Sequence, residues 1–294
     1  MLVKSTLTGL FIFFIATTIF AQEPDAIDSV LNELYFEDAD LYELFDGNTN
    51  FHFLYFVGGY NSGTYYAGRQ LGENQHNLTG QMYYFMTNGL YFGASAANYS
   101  YLDPSFRSVV VSAGYSNSIR KFDFFRYRLS YDRYVYVNMG TDFEPTYNSD
   151  VNAGITLRYK FAGLRYDYTL LIGKETGHIM TLDFFTKFKL LTLGKYDRIQ
   201  FAPEVSNYYS SELVEYYTNA AEVEANPLVD PIYVVKEEYG LMNTSVTLPL
   251  SIAYHQFDFE VSYTYHFPKS LDPAYYYEES GFWGISLAYI ISIN

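Results

Sequence analysis

The sequence predicts an all-β fold, an antiparallel transmembrane outer-membrane β-barrel of about 12 strands preceded by a short helical segment. Three observations lead to this class. Many segments alternate large apolar residues with small or polar ones at a period of two, which is the pattern of a strand with two unlike faces. After residue 21, no apolar run reaches the roughly 18 residues that a membrane helix requires. Short and long links alternate between the segments, as they do in an outer-membrane barrel.

Residues 1–21 have the form of a secretory signal peptide. An apolar run from Leu10 to Phe20 follows an early lysine, and small residues precede an expected cleavage site after Ala21. The mature chain would then begin near Gln22 and leave the cytoplasm. The sequence contains no cysteine, which excludes disulfides, thiolate metal sites, cysteine nucleophiles and a lipid anchor on cysteine.

Residues 22–50 are predicted to form an acidic periplasmic segment. From residue 23 to residue 46 it has nine Asp or Glu and no Lys or Arg. Two interpretations stay open: a disordered acidic leader, or one or two amphipathic helices that plug the periplasmic mouth or bind a periplasmic or envelope protein. The apolar residues at helical spacing favour the second, and they are Leu31, Leu34, Tyr35, Leu41, Tyr42 and Phe45.

Residues 51–294 are predicted to form the barrel. The last strand shows the pattern clearly, because every second residue from Trp283 to Ile293 is large and apolar. Uncharged faces of about ten residues are long enough for a tilted strand to cross a membrane. The predicted strands are 51–61, 77–87, 89–99, 107–117, 122–134, 151–161, 164–172, 178–190, 196–206, 242–254, 257–267 and 283–293.

The links between these strands alternate in length with one exception. The short ones are Asn88-Gly89, which is a hairpin signal, 118–121, 162–163, 192–195 and 255–256. The longer ones lie around 71–76, 100–106, 138–149, 207–239 and 268–280, and the exception is the brief link at 174–177. With tight periplasmic turns and an even strand count, both termini would be periplasmic. The competing architecture is a secreted soluble β-sandwich, which would bury its apolar faces instead.

Four stretches of the sequence resemble outer-membrane β-barrel proteins of Bacteroidetes, a group of largely uncharacterised function. They are DSVLNELYFEDADLYELFD, YYAGRQLG, YYFMTNGLYFGASAANYS and VVVSAGYS. The resemblance implies a barrel fold and a location in the outer membrane of a Gram-negative bacterium. It implies no activity.

If the apolar faces meet lipid, the charged faces line the lumen. A Lys or Arg on the lipid side would cost about 2–4 kcal/mol at the membrane midplane, so we expect these charges inside. The expected basic cluster is Arg126, Arg128, Arg158, Lys160, Arg165, Lys187, Lys189 and Arg198, and the expected acidic residues are Asp132, Asp167, Asp183, Asp258 and Glu260. One interpretation is a basic constriction that selects anions. The other, favoured by the interleaving of opposite charges, is a network of ion pairs filling a narrow barrel.

The sequence offers no catalytic motif, so we expect a protein that is not an enzyme. It has no Gly-x-Ser-x-Gly, no His-Glu-x-x-His and no phosphate loop. Its five histidines are not at the spacing of a metal site, and we expect neither a metal nor a cofactor. A lipid hydrolase in which His178 meets Ser210 or Ser211 near the outer strand ends is the least favoured possibility.

The favoured function is a passive or gated pore for small hydrophilic solutes, surrounded by outer-membrane lipid. The alternative is a non-conducting barrel that acts as a scaffold or subunit of an envelope complex. The net charge of −15 argues against nucleic acid as a partner.

Overall fold

The structure is a computed structural model that describes residues 52–71, 75–86, 88–119, 122–140, 143–194, 197–217 and 233–293. The predicted signal peptide and the acidic segment, with its apolar residues from Leu31 to Phe45, lie outside these residues. Within the described residues, no helix is long and apolar enough to cross a membrane.

The regular structure of the described residues consists of β-strands. They are β1 (His52–Asn61), β2 (Tyr65–Tyr66), β3 (Arg69–Gln70), β4 (Asn77–Met86), β5 (Leu90–Tyr99), β6 (Phe106–Ile119), β7 (Phe122–Tyr136), β8 (Tyr147–Tyr159), β9 (Ala162–Gly173), β10 (Thr176–Thr186), β11 (Phe188–Thr192), β12 (Arg198–Phe201), β13 (Glu204–Tyr217), β14 (Tyr233–Tyr254), β15 (Phe257–Pro268) and β16 (Ser280–Ile293).

The main sheet closes on itself. Its order is β1-β4-β5-β6-β7-β8-β9-β10-β13-β14-β15-β16, and β16 pairs with β1 from Asn61↔Gly284 to His52↔Ile293. Strands β11 and β12 pair with each other, and β12 also pairs with β14, so they continue β10 and β13 beyond short interruptions. In the part of the chain that the structure describes, the circumference therefore has twelve antiparallel strands, which confirms the predicted barrel.

The connections differ between the two ends of the barrel. One end has the short links from β4 to β5, β6 to β7, β8 to β9, β11 to β12 and β14 to β15, together with the start of β1 and the end of β16. The Asn88-Gly89 hairpin is among them, with Gly89 at φ 94°, a conformation that suits glycine. The other end has the longer links, and the brief link at 174–175 is again the exception.

The predicted long link at 207–239 is largely a strand pair. Strands β13 and β14 remain paired out to Tyr217↔Tyr233, so β14 alone is 22 residues long. Periodicity missed this extension because it carries charged residues such as Glu237 and Glu238 and continues beyond the uncharged face used to recognise membrane strands. Backbone hydrogen bonds stabilise a hairpin ladder whether or not its side chains are apolar.

Burial in the barrel wall is inverted relative to a soluble protein. Along β7, Arg128 and Ser130 are each 7% exposed, whereas Leu129 is 55% and Tyr131 is 45% exposed. A β-sandwich would bury the apolar members of such a strand and expose the arginine. The apolar exterior is therefore the surface that meets lipid, and the β-sandwich is excluded.

Aromatic pairs mark two levels on the outside of the wall. Near the short turns, the Phe257 and Tyr289 rings lie 4.7 Å apart. Toward the long links, the Tyr263 and Trp283 rings lie 4.8 Å apart on the same two strands. Rings with an apolar body and a polar edge favour the two interfaces of a bilayer, so these pairs are placed as in aromatic girdles.

Candidate functional site

The lumen is the candidate functional site, because the polar faces of the strands converge there. It contains a cavity of about 510 Å³. Uncharged hydroxyl and amide side chains supply much of its wall, among them Thr79, Gln81, Ser112, Ser245, Thr247, Ser262 and Ser286. Strands β7 to β10 add most of the charges. The period of two places these groups inside, because the intervening residues face lipid.

A network of buried ion pairs crosses the strands on the charged side. Arg128 bonds to Asp167 at 2.8 Å, and Arg165 lies 2.7 Å from Asp183 and 3.1 Å from Glu204. Gly154 makes room for the first pair, since a Cβ there would lie 2.2 Å from an oxygen of Asp167. The structure thus contains a network of ion pairs, the interpretation that the sequence favoured over a basic constriction. Charges buried in this way need partners to be tolerated.

The predicted lumen residues do not all occupy equivalent places. The cavity is lined by Arg128, Arg158, Arg165, Lys187, Asp132, Asp167, Asp183, Asp258 and Glu260. Arg126 and Arg198 are buried nearer the short turns, at 3% and 9% exposure. Lys189 is exposed on β11. Lys160 lies in the turn after β8, with its ammonium nitrogen 5.3 Å from the ring centroid of Tyr159 rather than on the lumen wall, because the strand and its alternation end at Tyr159.

Sequence reasoning missed two acidic residues of the described lumen. Asp150 and Glu204 both line the cavity. Asp150 was excluded because the sixth strand was predicted to begin at residue 151, whereas β8 begins at Tyr147. Extending the alternation backwards from Asn152 would have found it. Glu204 is separated from Arg198 and Gln200 by an even number of positions. The alternation along the strand therefore places all three side chains on the same, inward face.

The link after β1 folds into the lumen, which periodicity could not reveal. Its hairpin, β2 and β3, contains Tyr65, which is only 3% exposed. The Tyr65 ring lies 4.6 Å from the imidazole of His266, and its hydroxyl donates to the carbonyl of Gly281 at 3.1 Å. At the turn, Gly68 has φ 76°, and a Cβ there would lie 2.1 Å from the side-chain oxygen of Asn243. The hairpin therefore reaches across to β14, β15 and β16.

Arg69 fixes the hairpin to the opposite wall. Its guanidinium lies 2.8 Å from a carboxylate oxygen of Glu212, donates to the carbonyl of Lys269 at 3.2 Å and lies 4.0 Å from the ring centroid of Tyr277. Burial raises the pKa of Tyr277 and of Tyr66, so both hydroxyls stay protonated at neutral pH. We call β2, β3 and their turn, residues 65–70, the inward hairpin.

An aromatic cluster narrows the lumen at the short-turn end. It consists of Phe53, Tyr55, Tyr83, Phe85 and Tyr91, with Ala288. Lumen-facing glycines accommodate two of the rings, since a Cβ on Gly93 would lie 2.0 Å from the Tyr83 ring and one on Gly114 would lie 2.3 Å from the Tyr91 ring. The cavity therefore lies between this cluster and the inward hairpin.

The His178 ring and the Ser210 hydroxyl, considered for catalysis, do not form a nucleophile and base pair. His178 bonds through Nδ1 to the hydroxyl of Tyr168 at 2.6 Å. The hydroxyl of Ser210 donates to the backbone carbonyl of His178 at 3.4 Å rather than to its ring. Among the described residues, no group of three or more His, Asp or Glu is arranged to hold a metal ion.

A closed sheet with an apolar exterior and a polar, charged lumen defines the class: a membrane-spanning β-barrel of the outer-membrane type. Comparison with protein-family models gives no match, and comparison with curated proteins gives none either.

Comparison with solved structures does give matches. The KdgM porin is 9% identical over 81% of this chain and 98% of its own, with a TM-score of 0.45. The NanC porin is 12% identical over 80% of this chain and 98% of its own, with a TM-score of 0.46. LpxR from Salmonella typhimurium is 10% identical over 80% of this chain and 99% of its own, with a TM-score of 0.43. These likenesses concern the fold alone.

Proposed function

We propose that this chain is an outer-membrane pore for small hydrophilic solutes. The observation that carries the proposal is the polar cavity of about 510 Å³ inside an apolar exterior. Since a water molecule occupies about 30 Å³ in the liquid, such a cavity has room for on the order of ten waters. A lumen of this size suits small solutes rather than folded proteins.

Side chains occupy part of the path through this pore toward both of its ends. The inward hairpin occupies the outer half, and the aromatic cluster occupies one side of the inner half. The charged wall from β7 to β10 borders the remaining space, with guanidinium and carboxylate groups that can replace part of a solute's hydration shell. Conduction through such a pore would be small, and it would respond to movement of the inward hairpin.

The termini are proposed to be periplasmic, as the sequence predicted. In support, the start of β1 and the end of β16 lie at the end with the short turns. The acidic segment from residue 23 to residue 46 lies outside the described residues, and its role as a plug or a partner-binding segment stays a prediction.

Single-channel recording of the refolded mature protein in a planar bilayer tests the pore. Folding is verified first by a heat-dependent shift in gel mobility. Steady unitary current is the expected result, and liposome swelling with polyols of increasing size then measures the size limit. A verified barrel that gives neither current nor swelling would overturn the pore in favour of a scaffold. A parallel variant lacking residues 23–46 tests the plug, since a plug predicts a larger current after its removal.

A further inference from the structure

The charges that line the cavity are predominantly acidic. Among the described residues of its lining, four are basic, namely Arg128, Arg158, Arg165 and Lys187. Seven of the described lining residues are acidic, namely Asp132, Asp150, Asp167, Asp183, Glu204, Asp258 and Glu260. A lumen lined by an excess of one sign concentrates counter-ions of the other sign, because its low-dielectric walls focus the field. The lining therefore attracts cations more than anions.

Carboxylates already surround the best-defined basic groups. Arg165 lies within 3.1 Å of both Asp183 and Glu204, and the Arg128 guanidinium bonds to Asp167 at 2.8 Å. An arginine held in this way presents little net positive charge to a passing solute, because its field is cancelled at short range by its partners. These two arginines therefore do not make the wall an anion site.

Two further carboxylates face each other in the same cavity. Asp132 on β7 and Asp150 on β8 are direct cross-strand partners. The hydroxyl of Tyr134 donates to Asp150, which is 5% exposed. The guanidinium of Arg128, on the same strand as Asp132, is already bonded to Asp167 at 2.8 Å. Like charges this close repel each other, and a proton or a cation held between them relieves the repulsion.

An unpaired hydrogen-bond acceptor is a second, independent feature of the lining. Within the described part of the chain, the side-chain oxygen of Gln200 has no hydrogen-bond partner, although this residue lines the cavity and is only 2% exposed. A buried acceptor without a partner is costly, so it favours a solute that brings a donor to it. An ammonium group brings three donors and a positive charge.

We propose that the lumen prefers cations and passes small solutes bearing an ammonium group over anions of similar size, with Asp132 and Asp150 as the residues that set this preference. The proposal rests on the proposed pore function. It assigns the lumen the opposite preference to a basic, anion-selecting constriction.

The reversal potential across a bilayer with a KCl gradient tests this selectivity in the full mature protein. We expect a cation-to-anion permeability ratio above one, and a lower ratio in the double variant Asp132→Asn and Asp150→Asn. Glu144→Gln is the matched control, because it also neutralises a carboxylate but its side chain is 69% exposed outside the cavity. The control should keep the original ratio.

The outcomes separate this inference from the pore itself. A folded barrel without any current overturns the proposed pore function. A current that prefers anions, or a double variant whose permeability ratio equals that of the control, overturns the cation preference and leaves the pore standing. Liposome swelling in an isosmotic amine salt compared with a carboxylate salt gives a second reading of the same preference.

Discussion

Removing the side chain of Arg69 should release the inward hairpin and increase the current. The Arg69→Ala variant loses a charged hydrogen bond to Glu212, worth about 1.5–3 kcal/mol, and a contact with the Tyr277 ring, worth about 0.5–1 kcal/mol. Docking of the inward hairpin should therefore weaken by about 2–4 kcal/mol. Since about 1.4 kcal/mol corresponds to a factor of ten, the undocked population should rise roughly 30-fold to 700-fold.

The structure favours the lower part of this range. Glu212 keeps other donors after the substitution, because it also accepts from the backbone N–H of Leu271 at 2.6 Å and from the hydroxyl of Ser270 at 3.3 Å. The loss of Arg69 therefore does not leave a buried carboxylate without partners, a situation that would add a further penalty.

Single-channel recording measures this effect as the fraction of time spent in a state of higher conductance. Arg133→Ala is the matched control, since Arg133 is an exposed arginine at the outer end of β7 that bonds to Asn148 at 2.8 Å. The reasoning would be refuted if Arg69→Ala, folded to the same extent as the control, gave the same conductance and the same open fraction.

Three further predictions concern the barrel itself. Gly93→Val should prevent correct folding, because a Cβ there would lie 2.0 Å from the Tyr83 ring; the yield of the heat-modifiable band measures it. Arg165→Leu should lower the free energy of unfolding by about 3–5 kcal/mol, measured by urea titration in vesicles, since its buried carboxylates lose their cation. A loss below about 1 kcal/mol would indicate a solvated network instead. Leu287→Lys should cost about 2–4 kcal/mol on the lipid face, and Ser286→Lys should escape this membrane penalty. Equal losses would contradict the assignment of the two faces.

The sequence determined the wall of the barrel. A period of two with uncharged apolar faces is a local property, because successive side chains of a strand point to opposite sides. The strand number and the inward orientation of Asp167 and Asp183 follow from it, whereas the lengths of the links indicate the short and long ends. Errors occurred where the pattern stopped, as at Lys160 in a turn and at Asp150 just outside a predicted strand.

Only the tertiary structure decided what fills the lumen. Closure by pairing of β1 with β16 brings together residues more than two hundred positions apart, and periodicity contains no information about such contacts. The inward course of residues 65–70 depends on Arg69 meeting Glu212 across the barrel. The pairing of Arg128 with Asp167 likewise depends on strand register and on the space left by Gly154. The alternation along each strand selects the face of a residue, whereas its partner is selected by register, closure and packing across the lumen.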